Sequence, residues 1–232
     1  MPDSCAIVPA YRAAETVGSV VDDLTKTLGV PIIVVDDGSA DDTGAVAERR
    51  GALVVRHDRN RGKGAALRTG LMEAARAGFR VAVTVDADGQ HPAASARLVL
   101  AAADDPGALV LGVRNLLRDG APSSNRFGNA VSNFFLSLFS GRVLRDTQCG
   151  LRRYPVRETL ALRVQSDGYA FEGEVVLRAI AAKIPIVEVD VAAIYPPERE
   201  RKSHFRRFAD PTRIVGRVAR TAFELRIRRG AR

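Results

Sequence analysis

Val83-Thr84-Val85-Asp86-Ala87-Asp88-Gly89-Gln90-His91-Pro92 opens as an apolar β-type run and closes on two carboxylates, a glycine, an amide and a proline. Alternate residues of an extended chain face the same side, so Asp86 and Asp88 can point at one cation as the strand gives way to loop. One or two carboxylates completed by phosphate oxygens is a usual setting for a divalent ion on a nucleotide diphosphate. By itself an acidic pair of this spacing is more often a solvated loop. Its position directly after an apolar strand favours the metal reading.

The segments around this strand define an α/β pattern. Short β-rich runs at 5–9, 32–36, 53–56, 80–86 and 108–113 alternate with helical patterns at 15–28, 43–50, 64–77 and 92–103, which predicts a mostly parallel sheet with helices on both faces. Ligands of such sheets bind beyond the carboxyl ends of the strands, where the acidic clusters fall. Beyond residue 115 the pattern becomes a helix at 125–139, a mixed stretch, a helix at 171–183, a strand at 186–191 and a basic tail. No repeat or low-complexity linker interrupts it. A single domain over 1–232 is expected, with residues 1–115 as a nucleotide-binding half, 116–195 as an acceptor-side half, and 196–232 as a basic loop and C-terminal helix.

Two further segments bear on chemistry. Val34-Val35-Asp36-Asp37-Gly38-Ser39 brings two carboxylates to the sheet edge, and the glycine turns the chain before Asp41 and Asp42, which are expected to cap the next helix. A capped turn and a contact to base or ribose are equally good readings of Asp36 and Asp37. Asn60-Arg61-Gly62-Lys63-Gly64 precedes a helix, so backbone N–H groups and Lys63 can face an anion. It lacks P-loop spacing, which disfavours an NTPase.

The 232 residues carry a formal charge of +8, with 46% hydrophobic and 27% charged residues. This is ordinary globular usage, and the excess of cations favours an anionic partner. Cys5 and Cys149 have neither metal-ligand spacing nor disulfide-scaffold density, which fits a reduced, cytoplasmic protein. No apolar run approaches the roughly 20 residues of a membrane-spanning helix, so contact with a membrane is expected to be peripheral, at its cytoplasmic face. Zinc-finger spacing and aromatic-interleaved basic motifs are absent, and nucleic acid is not expected as a partner. His57, His91 and His204 are scattered and receive no catalytic role.

The ordered motifs Ile7-Val8-Pro9-Ala10-Tyr11, Val35-Asp36-Asp37-Gly38-Ser39, Gly62-Lys63-Gly64, Asp86-Ala87-Asp88-Gly89-Gln90-His91-Pro92 and Asp146-Thr147-Gln148-Cys149-Gly150-Leu151-Arg152 together resemble family 2 glycosyltransferases. Within them the chain is similar to polyprenyl-phosphate sugar transferases of the dolichol-phosphate mannose synthase type. The resemblance implies a GT-A fold without a transmembrane helix and a UDP- or GDP-hexose donor. Pro9, Ala10, Tyr11, Asp36, Asp37, Lys63, Asp86 and Ala87 would lie around the nucleotide-sugar. Asp86, Asp88 and Gln90 would hold Mg2+ or Mn2+, and Asp88 and Arg114 would be catalytic, with Arg114 near the donor diphosphate. Arg12-Ala13 stand where the family commonly has Asn-Glu, so a carboxylate near the nucleoside is missing.

Acceptor or phosphate contacts are expected from Arg126, Thr147, Gln148, Glu172, Lys202 and His204, with a polyprenyl phosphate as acceptor. The implied reaction is inverting. Two alternatives stay open: a soluble transferase with a small-molecule or protein acceptor, and a non-catalytic nucleotide-sugar-binding subunit recruiting a membrane-protein partner. Phe127, Val131, Phe134, Phe135 and Leu138 form one helical apolar face, read first as core and second as membrane contact. The apolar and arginine-rich stretch from Ile214 to Leu225 fits packing on the domain as well as an anionic bilayer surface.

Overall fold

The structure, a computed structural model, describes residues 3–168, 170–195, 216, 220 and 221. Lys202, His204, the basic segment from 196 and most of the expected C-terminal helix lie outside the described residues.

Seven strands form one sheet in the order β3-β2-β1-β4-β6-β5-β7. They are β1 (Ser4–Ala10), β2 (Ile32–Asp36), β3 (Leu53–Arg56), β4 (Val81–Thr84), β5 (Leu109–Arg114), β6 (Arg152–Pro155) and β7 (Ile186–Val191). All pairings are parallel except those of β6, which runs antiparallel to both β4 and β5. The mostly parallel sheet expected from the alternating pattern is therefore present, and it takes strands from both halves of the chain.

The helices are α1 (Val17–Leu28), α2 (Thr43–Arg49), α3 (Lys63–Arg76), α4 (Ala93–Ala101), α5 (Ser123–Ser140), α6 (Val156–Ala161) and α7 (Ala170–Ala181). Alternation along β1 divides the core. Cys5 and Ile7 join Leu67 and Leu71 of α3 and Val175 and Val176 of α7 on one face. Ala6 and Val8 join Val17 and Val21 of α1 and Val99 of α4 on the other. A strand covered on both sides reads as continuously apolar, which is why these strands were legible. Among the described residues no helix is long and apolar enough to cross a membrane.

β6 and α6 are absent from the sequence expectation. All four residues of β6 are buried, and two are arginines. The Arg152 guanidinium donates to the carbonyls of Thr147 (2.7 Å), Glu172 (2.8 Å) and Cys149 (2.9 Å). Arg153 donates to the carbonyls of Ala103 and, at 2.7 Å, Asp105. A buried charge is tolerated when most of its donors are satisfied; Thr147 and Cys149 lie five and three residues from Arg152, whereas Glu172 is 20 away and the acceptors of Arg153 are 48 and 50 away. Two arginines read locally signal exposure. The cap at the start of α2 also differs from expectation. Asp42 occupies the N-cap without a side-chain bond, whereas Asp41 accepts from Thr43 N and from Ala14 N, both at 3.3 Å.

Replacing Arg152 by Leu removes charged donors from three buried carbonyls and is expected to cost about 3 kcal/mol or more of stability. Denaturant unfolding would measure this, and an unchanged midpoint would mean the carbonyls find other partners.

Candidate active site

Because the six parallel strands point one way, their carboxyl ends share one edge. β6 runs the opposite way and brings the segment before it, 146–151, to that same edge. The edge therefore collects Tyr11 after β1, Asp36 and Asp37 at β2, Asp86 and Asp88 after β4, Arg114 ending β5, and the Asp146–Gly150 loop.

At the β2 end both carboxylates are turned to protein partners. Asp36, fully buried, accepts from Arg56 Nε at 2.8 Å and from Ser39 N at 3.0 Å. Asp37 accepts from Arg61 N (2.9 Å) and Gly62 N (2.8 Å) and lies 2.6 Å from His57 Nδ1, whose Nε2 meets Thr69 Oγ1 at 2.9 Å. Asp37 thus fixes the loop that presents Lys63 at the first turn of α3. Arg12, at φ 51°, donates its N–H to Ser39 Oγ at 2.9 Å, and its guanidinium carbon lies 5.3 Å from the Tyr11 ring centre. Pro9 is half-buried and Ala10 buried, with Ala10 in register with Asp36.

The expected strand over 80–86 ends at Thr84, so Asp86 and Asp88 sit on the loop that follows. Lys63 Nζ lies 2.7 Å from Asp86 Oδ1 and 3.1 Å from Glu172 Oε1. Burial opposes ionisation of Asp86, yet the Lys63 ammonium outweighs it and holds the carboxyl below its ordinary value. For Asp88, crowding by protein and then the charge of Asp86 push the carboxyl up to about 6. Asp88 also accepts from Gln90 N at 2.9 Å. Ala87, buried, accepts from Thr16 Oγ1 at 2.6 Å, tying the acidic loop to the start of α1. A Cβ on Gly150 would stand 2.4 Å from Asp86 Oδ2 and 2.7 Å from Lys63 Nζ, so a side chain there would push the ends of the acid–lysine pair out of place.

These groups fit a divalent cation in a limited sense. Two carboxylates and the Gln90 amide are hard oxygen donors suited to Mg2+ or Mn2+, and the raised Asp88 value, set by burial and then by the charge of Asp86, is a cost that a cation would relieve. Among the described residues no group of three or more His, Cys, Asp or Glu could hold a metal, so phosphate oxygens and water would have to complete the shell. His91 is buried and burial pulls its imidazole down to about 4, leaving it neutral. Cys5 and Cys149 are buried free thiols, each pushed up to about 12 by burial.

Arg114 grips Asp146 through Nε at 2.7 Å and Nη2 at 3.0 Å, and its Nη1 donates to Tyr195 Oη at 3.2 Å. Burial works against its charge, but Asp146 reverses that and holds the guanidinium above its ordinary value. A bidentate pair of this kind fixes orientation as well as charge. Asp146 also accepts from the backbone N–H groups of Arg114, Gln148 and Cys149. Asp146 and Tyr195 received no role in the sequence reading; the Asp146-Thr147-Gln148 motif was the one signal available.

Arg114 also lines a cavity of about 650 Å³ with Arg118, Arg126, Arg145, Asn129 and Asp190. Asn129 is 5% exposed, and its side-chain oxygen has no hydrogen-bond partner among the described residues. Of the residues expected on the acceptor side, Arg126 faces this cavity. Thr147 instead turns its hydroxyl to Ser132 Oγ and Asn133 Oδ1, each at 2.8 Å. Gln148 donates to the Gly128 carbonyl at 3.4 Å, and Glu172 is buried against Lys63.

The family model for glycosyl transferase family 2 matches residues 5–157. A UDP-N-acetylglucosamine–dolichyl-phosphate N-acetylglucosaminyltransferase of Methanococcus voltae is 29% identical over 82% of this chain and 84% of its own. A polyprenol monophosphomannose synthase of Mycolicibacterium smegmatis is 31% identical over 80% of this chain and 75% of its own. Among solved structures, glucosyl-3-phosphoglycerate synthase of Mycobacterium tuberculosis, in complex with Mn2+, UDP and phosphoglyceric acid, superimposes with a TM-score of 0.71. That match is 19% identical and covers 97% of this chain and 78% of the other. With the motifs in order along one sheet edge, the fold is GT-A and the chain belongs to glycosyl transferase family 2.

Proposed function

We propose that the protein transfers a hexose, with inversion, from a UDP- or GDP-sugar to a polyprenyl monophosphate at a membrane surface. The observation that carries this reading is Arg114, which stands between the acidic loop and an arginine-lined cavity. Its charge acts on Asp86, and its side chain lines the cavity with Arg126. A donor diphosphate on one side and an acceptor phosphate on the other would both meet fixed cations. The names of the two relatives above carry a dolichyl phosphate and a polyprenol monophosphomannose, which supports the choice of acceptor.

Asp86, Asp88 and Gln90 would hold Mg2+ or Mn2+, which when bound neutralises charge on the departing diphosphate. The Mn2+ and UDP bound in the solved structure of the same fold support that assignment. Lys63, already beside Asp86, is in reach of the same diphosphate. Pro9, Ala10, Tyr11 and Ala87 form the edge on which the nucleoside would rest, and Asp36 and Asp37 hold that edge in shape. The acceptor phosphate oxygen forms the new bond to the anomeric carbon as the bond to the diphosphate oxygen breaks. Because the phosphate is ionised at neutral pH, no general base is required, and positioning with charge shielding supplies the acceleration.

A small phosphorylated acceptor is the second reading, favoured by the phosphoglyceric acid in that solved structure, since the cavity's arginines suit either phosphate. Turnover of a panel of UDP- and GDP-sugars with polyprenyl phosphate, with 3-phosphoglycerate and with no acceptor tests the proposal. Lipid product alone supports it, product from phosphoglycerate alone replaces it with the second reading, and no turnover with either rejects both.

Three variants are informative. Asp88→Ala is expected to lower metal-dependent transfer by roughly a hundredfold or more, the scale of several kcal/mol of metal stabilisation; full activity with chelator present would remove the metal from the mechanism. Arg126→Ala is expected to raise the acceptor KM by about tenfold or more, the loss of a charge-assisted hydrogen bond, with the donor KM unmoved. An equal change in both constants would argue against an acceptor role. Gly150→Ala forces a methyl group against Asp86 and Lys63 and is expected to weaken donor binding, measured by calorimetry with UDP and Mn2+, while secondary structure by circular dichroism stays unchanged.

A further inference from the structure

Lys63 acts at the end of a flexible stem, so the place of its ammonium is set by the backbone beneath it. Nζ lies 2.7 Å from Asp86 Oδ1 and 3.1 Å from Glu172 Oε1, and that reach depends on how residues 58–62 deliver the chain to α3. Residues 58–61 of this turn are exposed. Its outer flank is closed by the chain ahead of α7. There the Asp167 carbonyl accepts from Ala65 N at 3.0 Å, and a Cβ on Gly62, at φ 93°, would stand 2.6 Å from the same carbonyl oxygen.

The inner flank is held by side chains. Asp37 accepts from Arg61 N at 2.9 Å and Gly62 N at 2.8 Å, and His57 Nδ1 lies 2.6 Å from Asp37 Oδ1. As a carboxylate Asp37 can only accept, so Nδ1 carries the proton of this bond. That leaves Nε2, 2.9 Å from Thr69 Oγ1, to fasten the pair to the body of α3, beyond Lys63 at its start. The contacts close a ring from Asp37 through the turn, along α3 to Thr69 and back through His57. His57 and Asp37 are 7% and 3% exposed. A buried acid–imidazole pair adds little stability that well-packed apolar residues of its volume would not, so its contribution is the register it imposes on the turn.

We propose that His57 is a positioning residue for the donor diphosphate, acting through Asp37 and the backbone of Arg61 and Gly62 to set where Lys63 stands. Without the imidazole, Asp37 loses its tie to α3, and the turn that hangs from it loses its register against the two acids that Lys63 meets. A displacement of about 1 Å can cost on the order of a hundredfold in a site that works by orientation. The inference rests on the reading of Lys63 as a contact to a nucleotide diphosphate.

The test is titration calorimetry of the full chain with UDP and with GDP in excess Mn2+. His57→Ala and Lys63→Met are each expected to weaken the nucleotide that the wild-type chain binds by roughly tenfold or more. Thr69→Val, which removes only the far end of the ring, should weaken it by a smaller factor. The double variant His57→Ala, Lys63→Met should bind as Lys63→Met alone does, because the two residues act in series. His57→Asn, whose amide nitrogen can stand in for Nδ1, should recover part of the loss. In turnover, His57→Ala should raise the donor KM and leave the acceptor KM unmoved. Should His57→Ala fail to fold, the same cycle run with Thr69→Val decides. Unchanged affinity in His57→Ala and Thr69→Val overturns the role, as does a loss that persists in full in the Lys63→Met background, the mark of a general structural effect. A wild-type chain that binds nucleotide but transfers no sugar sinks the transferase reading and leaves the role of His57 standing. One that binds neither nucleotide sinks the donor reading and this role together.

Discussion

The antiparallel strand β6 is the constraint on which the arrangement depends, and Arg152 is what holds it. One guanidinium spans the carbonyls of Thr147, Cys149 and Glu172, fastening the 146–151 loop and the start of α7 to the middle of the sheet. Inserting a reversed strand between β4 and β5 moves those two carboxyl ends apart and places a loop between them. Without it, Asp86 and Arg114 would end neighbouring strands of a parallel sheet. With it, the acidic loop and the arginine-lined cavity lie on either side of the Asp146–Gly150 segment.

Charge balance is the second theme of the edge. Lys63 neutralises Asp86 and Glu172, while Arg114 neutralises Asp146. Among the described residues Asp88 has no ion pair, and burial, followed by the charge of Asp86, displaces its carboxyl upward. Buried charges cost several kcal/mol unless paired, so an edge with this many ionised groups is stable only because each is paired or hydrogen-bonded. In the proposed reaction a cation at Asp88 would relieve this cost, and the diphosphate that accompanies it would find Lys63 within reach. Asp37 contributes indirectly, by fixing the backbone from which Lys63 projects.

The polar inner side of α5 has the same origin as the buried arginines. The Arg145–Gln148 segment presents backbone groups and the Thr147 hydroxyl toward α5, so the inner side of the helix is polar in order to meet them. Phe127 and Phe134 are left outside, while Leu136 is buried in the core and Phe139 packs against it. The expectation that this face forms core is corrected by the exposure of Phe127, Phe134 and Leu138, with Val131 half-buried and Phe135 half-buried against Phe134 and Phe139 at centroid distances of 5.4 and 6.3 Å.

Among the described residues, six of the strands β1–β7 and six of the helices α1–α7 were legible because runs such as Ile32–Asp36 and Val81–Thr84 are apolar on both sides, and α1 and α3 repeat at helical spacing. The ordered motifs, from Pro9 through Asp86 and Asp88 to Asp146, carried the family. Those are local properties: which residues are apolar, at what interval, and in what order along the chain. What tertiary structure alone decided was partnership. Arg152 and Arg153 are buried because the carbonyls of Glu172, Ala103 and Asp105 come to them from a distance, Asp36 and Asp37 are engaged because Arg56, His57 and the Asn60–Lys63 loop come to them, and Phe127 and Phe134 face the exterior because a polar loop meets the other side of α5. Periodicity fixes that a helix has one apolar face; what that face meets is set by residues remote in sequence, and only the folded chain brings them together.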